Sequence, residues 1–169
     1  MKYTTHIATG AYLGAVVTTI VQPSPLVAIT FMFASIFGSL LPDIDHPKSW
    51  LGQRIPMLSI PISALFGHRG ITHSLLGVIL HIALTFTVNF IFPILSPLTT
   101  GILIGSISHI IGDWLTPSGI PLLWPNKERY ASPAMFEIGG IHESILCFVL
   151  SVTSIYISFS YFINALSEV

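Results

Sequence analysis

The chain has 169 residues, 52% of them hydrophobic and only 8% charged, with a formal net charge of −1. A soluble domain carries about 25% charged residues, so this composition excludes an ordinary soluble protein, and a mean hydropathy of +0.82 places the chain in the membrane class. The near-neutral charge provides no basic field for nucleic acid, and the single cysteine, Cys147, excludes an internal disulfide.

Five apolar segments follow in order. The first, about His6 to Val21, ends at Gln22-Pro23-Ser24-Pro25, because proline suits turns and helix starts but not helix interiors. The residues before it lack the basic stretch and cleavage site of a signal peptide, so it reads as a retained helix. The second runs from about Leu26 to Leu41 and stops at Pro42-Asp43. A polar loop to His73 contains a shorter apolar piece, Met57 to Phe66, suited to the membrane interface. The third segment runs from about Ser74 to Ile94 and the fourth from about Leu98 to Asp113. A loop rich in proline and glycine, Trp114 to Gly140, precedes the fifth, about Ile141 to Leu166. Spanning the hydrocarbon takes roughly 20 apolar residues in a helix, which makes the short first and fourth segments the least secure crossings. The expected fold is all-α: one domain, a polytopic bundle of about five helices crossing or entering the bilayer.

Five single crossings put all six basic residues, Lys2, Lys48, Arg54, Arg69, Lys127 and Arg129, on one side. The positive-inside rule makes that side cytoplasmic, in an inner or plasma membrane. The other side carries almost nothing ionisable except Glu168. The histidines and aspartates fall on the basic side too, at the ends of the helices, with only His81 lying deeper. Ionisable residues inside or near a membrane are functional candidates by default.

His109-Ile110-Ile111-Gly112-Asp113 spaces two ligand-type side chains i, i+4, on one helix face about 6 Å apart. Such a pair suits a metal, but equally a helix-end cap or a satisfied buried pair. Gly101 and Gly105 extend the same stripe and would let another helix pack closely. Asp43-Ile44-Asp45-His46 sets two like charges at short range, which either cap a helix or stand apart in water, or else ask for a cation or a proton. In His68-Arg69-Gly70-Ile71-Thr72-His73-Ser74, two imidazoles flank an arginine whose planar fork matches phosphate oxygens. The plainer reading is an interfacial loop with a Thr72 or Ser74 helix cap. His142-Glu143 reads either as a helix-start pair or as a general base in Glu143. His81 reads as a buried polar contact, and Trp50, Trp114 and Trp124 as interfacial anchors. The Thr116-Pro117-Ser118-Gly119 turn is one that could also line the site. Imidazole and carboxylate together suit zinc, manganese or iron. The six to eight residues exceed one tetrahedral ion's need, so two ions sharing a carboxylate are favoured, zinc first and manganese second. Two ions about 4 Å apart activate water and clamp a phosphoryl or carbonyl oxygen.

Across most of its length the chain resembles the YdjM-like inner-membrane proteins, a family described as LexA-regulated, membrane-bound, metal-dependent hydrolases. The likeness rests on His6 before a glycine-containing helix, Leu41-Pro42-Asp43-Ile44-Asp45, His68-Arg69-Gly70-Ile71-Thr72-His73-Ser74, and His109-Ile110-Ile111-Gly112-Asp113. More distantly, the order of these residues is similar to the all-helical zinc phospholipase C and P1-type nuclease class. The resemblance implies that His6 binds one ion, that Asp43, His68 or His73, and His109 bind another, and that Asp113 bridges. No later His-x-x-x-Glu pair matches a third ion of that class.

The sequence therefore leads to a membrane-bound hydrolase of a lipid-borne phosphoester, with Asp113 bridging, Arg69 holding phosphate, and Asp45 as supporting partner or base. His46, Thr72 and Glu143 are the expected outer supports. The rival expectation is a non-catalytic metal-binding membrane protein or transporter.

Overall fold

The computed structural model describes residues 1–167; Glu168 lies outside the described residues. It is all-helical: α1 (Tyr3–Val21), α2 (Pro25–Gly38), α3 (Pro56–Phe66), α4 (Leu75–Ile91), α5 (Ser96–Trp114) and α6 (Ile141–Ser167). Short 3-10 turns lie at Leu41–Asp45, Ile71–His73 and Pro93–Leu95. Among the described residues the only extended pairing is one antiparallel bridge between Ile120 and Tyr130.

Four helical stretches are long and apolar enough to cross a membrane: Tyr3–Val21, Pro25–Asp45, Pro93–Trp114 and Ile141–Ser167. The protein is a helical membrane bundle. The first and fourth segments, the short ones in the sequence, become helices of 19 residues each, because α1 starts earlier, at Tyr3, and α5 extends past the expected run at both ends. The helix that falls short of that length is instead α4, apolar but with 17 residues, about 25 Å at 1.5 Å per residue. The apolar piece before it forms α3, which leaves Met57, Leu58, Ile60 and Leu65 exposed. A helix that apolar on its open face suits the membrane surface.

Small residues set the centre of the bundle. α5 packs on α2, and α1 packs on both α2 and α6. Gly101 and Gly105 of α5 lie against the α2 backbone; a Cβ on Gly101 would sit 2.6 Å from the Phe31 carbonyl, and one on Gly105 would strike the Ser35 carbonyl. Gly10 and Gly14 of α1 face Ser39 and Ser35 in the same way. Lipid supplies little hydrophobic force between helices, so close backbone packing and interhelical hydrogen bonds take its place. Ser35 donates to the Gly10 carbonyl at 2.8 Å and Ser106 to the Gly38 carbonyl at 3.1 Å. α6 leaves Phe148, Ile155 and Phe159 exposed as a lipid-type face, and its Tyr161 hydroxyl donates to the Pro23 carbonyl at the far end of α1.

At the opposite end, the starts of α1, α4 and α6 meet the ends of α2 and α5. Ser74 caps α4 by accepting from the Gly77 amide at 3.1 Å. Glu143 ties α6 to α1: it accepts from the Lys2 amide at 2.7 Å, the Thr5 hydroxyl at 3.0 Å and the Gly139 amide at 2.5 Å. The loop 115–140 folds back over this end through backbone bonds from Ser132 to Trp114, Phe136 to Leu115 and Leu75 to Leu122.

The close crossing makes Gly105 the sensitive point. Gly105→Ala should destabilise the protein by about 1–3 kcal/mol, the usual range for overpacking. Ile111→Val, on an exposed part of the same helix, should change stability by less than about 0.5 kcal/mol. Thermal unfolding in detergent measures both.

Candidate metal centre

The α2–α5 crossing brings His109 under the end of α2. His109 is fully buried, and its Nδ1–H donates to the Ser39 carbonyl at 2.7 Å. A carbonyl can only accept, so this bond leaves the Nε2 of a neutral ring as a bare lone pair.

The same logic fixes His73, which the turn Ile71–His73 presents from the other side. Its Nδ1 lies 2.9 Å from the Thr72 hydroxyl and 3.3 Å from Asp45 Oδ2. Thr72 itself donates to Asp45. A carboxylate only accepts, so Nδ1 carries the ring proton and His73 Nε2 is bare as well. The two Nε2 atoms face each other at 3.1 Å.

Two carboxylates close the group. Asp43 Oδ1 lies 3.6 Å from His109 Nε2 and 3.8 Å from His73 Nε2. Asp113 Oδ2 lies 3.6 Å from His73 Nε2 and 3.9 Å from His109 Nε2. His6, from α1, stacks on the His109 ring at 3.7 Å and sets its Nε2 3.4 Å from Asp113 Oδ1. Asp43, His73 and His109 form one group able to hold a metal; His6, His109 and Asp113 form another. His109 has a single bare nitrogen, so it serves one ion only. The two oxygens of Asp113 point to different partners, His6 on one side and His73 with His109 on the other.

The donor set fits a divalent cation. The two facing imidazole nitrogens have no proton to offer the two carboxylates beside them, because each ring's proton is held on its other nitrogen. The second nitrogen of each facing histidine donates to an oxygen, the arrangement that orients metal-bound imidazoles. His6 Nδ1 is buried without a partner, a further sign of a polar group awaiting one.

Around this core the structure distributes the other sequence candidates. Asp45, wholly buried, is a hub: it bonds Thr72, the His68 Nδ1 at 3.1 Å and the Arg69 amide at 3.0 Å, and it supports His73. His68 joins neither metal-binding group and is 39% exposed. His46 stacks on His68 at 4.1 Å; burial first, then the neighbouring His68, holds its pKa below the ordinary value. Glu143 lies in the α1–α6 tie, one step removed through Thr5, the neighbour of His6. His142 is exposed.

Arg69 occupies the left-handed region at φ 56°, a conformation uncommon outside glycine. Its backbone is held there by Asp45. The side chain then reaches Asp113 Oδ2 at 2.7 Å and the Gly119 carbonyl at 3.0 Å. The Thr116–Gly119 turn thus touches the site through a carbonyl. Asp113 Oδ1 also receives the Met1 amino group at 2.6 Å. The Ser39 carbonyl is not legible as a site group, because a backbone oxygen leaves no trace in residue type, and Thr5 is not, because its partner Glu143 lies far away in the chain.

A groove of about 360 Å³ runs from this layer along α4 and α5. Pro42 and Ile44, on either side of Asp43, and Thr72, beside His73, line its upper end; Leu80, His81 and Ile107 line it further down.

A family description, YdjM inner membrane protein, matches residues 1–167. Inner membrane protein YdjM of Escherichia coli (strain K12) is 43% identical over 131 residues, 75% of this chain and 66% of the relative. The protein of the same name from Shigella flexneri gives the same figures. The match therefore spans a little under two thirds of the length of these two relatives. Uncharacterized protein YvsG of Bacillus subtilis (strain 168) is 36% identical over 119 residues, 70% of this chain and 72% of the relative. No solved structure matches, and the more distant likeness to zinc phospholipase C is not shown. From the end-to-end match and the shared motifs, the chain belongs to the YdjM inner membrane protein family.

Proposed function

We propose that this protein is a metal-dependent hydrolase of phosphoesters carried by membrane lipids. The observation that carries the reading is the pair of bare Nε2 atoms of His73 and His109, 3.1 Å apart between the carboxylates of Asp43 and Asp113. Asp43, His73, His109 and Asp113 Oδ2 would hold one ion. His6 and Asp113 Oδ1 would contribute to a second, with Asp113 as the bridge. Zinc is the first choice for this donor set and manganese the second. When bound, such ions lower the pKa of water and stabilise charge on a phosphoryl oxygen.

The chain's own residues supply the rest. Asp45 locks the His73 tautomer through Nδ1 and so keeps Nε2 aimed at the centre. Arg69 is 10% exposed, and its Nε is buried without a partner. That leaves a guanidinium N–H for a phosphate oxygen beside Asp113. Asp43, 22% exposed, is the most open of the four donors and marks the side from which water and substrate arrive. The apolar groove between α4 and α5 leads from Pro42 and Ile44 into the lipid-facing surface, which suits an acyl chain. A phosphoester at the centre would then sit at headgroup depth. The six basic residues favour a multi-pass arrangement with the centre toward the cytoplasm.

Purified protein should contain zinc or manganese and release phosphate or a phosphorylated headgroup from phospholipid. His109→Ala and Asp113→Ala should each lose the metal and the activity; full metal content in both variants would overturn the assignment. Asp45→Asn should keep the fold but weaken metal affinity by about 10- to 100-fold, the usual consequence of removing a partner behind a ligand. A metal titration of that variant measures it.

A further inference from the structure

On the other side of Arg69 lies a second concavity, a cleft of about 520 Å³ between the end of α3 and the loop 121–129. His68, Arg69, Lys127 and Arg129 line it, so three of the six lysines and arginines of the chain converge there. No carboxylate does. Glu128, the acid between Lys127 and Arg129, accepts instead from Tyr130 at 3.1 Å and from Asn126 at 3.4 Å. Arg69 is committed to Asp113 and Gly119, so it forms the wall between cleft and metal centre. Among the described residues Lys127 makes no ion pair, and Arg129 reaches only the Ser118 carbonyl at 3.4 Å. Both are exposed, with their charges unspent.

The remaining wall is apolar. Leu65 and Phe66 end α3, and Trp124 packs edge-on against Phe66 at 6.2 Å. Leu65 is exposed, as are Met57 and Ile60 earlier on the helix. The cleft thus lies where the exposed apolar surface of α3 meets a run of free cations, the junction that an anionic headgroup occupies at a membrane surface. Tryptophan is at home at the same depth.

We propose that this cleft binds the phosphate headgroup of an anionic phospholipid, held by Lys127 and Arg129 against the rim of Leu65 and Trp124, apart from the metal centre. It deepens the reading of a lipid phosphoester substrate and rests on that reading for its role. It makes the occupant an anionic lipid that sits beside the substrate and docks the protein's polar face against the membrane surface. The binding itself needs neither metal nor turnover.

The test is binding of short-chain phosphatidic acid to the full chain in detergent, followed by native mass spectrometry, with short-chain phosphatidylcholine as the zwitterionic control. The wild type should prefer the phosphatidic acid. The double variant Lys127→Gln/Arg129→Gln should lose that preference, weakening binding on the order of tenfold, with metal content and melting temperature unchanged. His109→Ala should lose metal yet bind the anionic lipid as the wild type does. Equal binding of the two lipids overturns the proposal, as does wild-type binding by the double variant. Loss of binding in His109→Ala alone would place the phosphate on the metal centre, and full competition by equimolar inorganic phosphate would make the ligand a soluble anion; either result also overturns it. Absence of ester cleavage with the lipid preference intact would instead remove the hydrolase reading and leave the cleft standing.

Discussion

The approach of α5 to α2 governs most of what this molecule can do. Three glycines, Gly38, Gly101 and Gly105, leave no side chain between the two backbones. The helices can therefore come close enough for Ser106 to reach the Gly38 carbonyl and for His109 to reach the Ser39 carbonyl. The second contact selects the His109 tautomer, and the tautomer leaves its other nitrogen bare and free to accept. A feature of packing thereby becomes a feature of chemistry.

The surroundings follow the requirements of a bilayer. A polar group in hydrocarbon must find a partner within the protein, and Thr30, Thr87 and Ser151 do so by donating to carbonyls one turn back. The strongly polar side chains cannot be satisfied that way. They collect at the helix ends, where free backbone groups, two long loops and one another are available. Asp45 shows the result. One buried carboxylate gathers Thr72, His68 and the Arg69 amide, and through them orders both the turn that carries His73 and the loop that carries Arg69.

Arg69 joins two regions of different character. Its guanidinium meets Asp113, and the same residue lines the basic cleft with Lys127 and Arg129. The apolar groove lined by Pro42 and Ile44 lies beside the same layer.

Composition and period made the helical membrane bundle legible, because hydrophobic length is a local property that needs no partner. They also made the polar layer legible, because the histidines and aspartates, His81 apart, fall at helix ends that five alternating segments bring to one face. Residue type picked out Asp43, His73, His109, Asp113 and His6 as ligand chemistry. It could not separate His68 from His73, since both stand in the same short loop with the same side chain. That choice depends on Asp45, which turns one imidazole outward and braces the other from behind. Nor could it reveal the part of the Ser39 carbonyl, the tie of Glu143 to α1, or the gathering of Lys127 and Arg129 beside Arg69. Each of these joins residues far apart in the chain, and only the packed fold sets the distance between them.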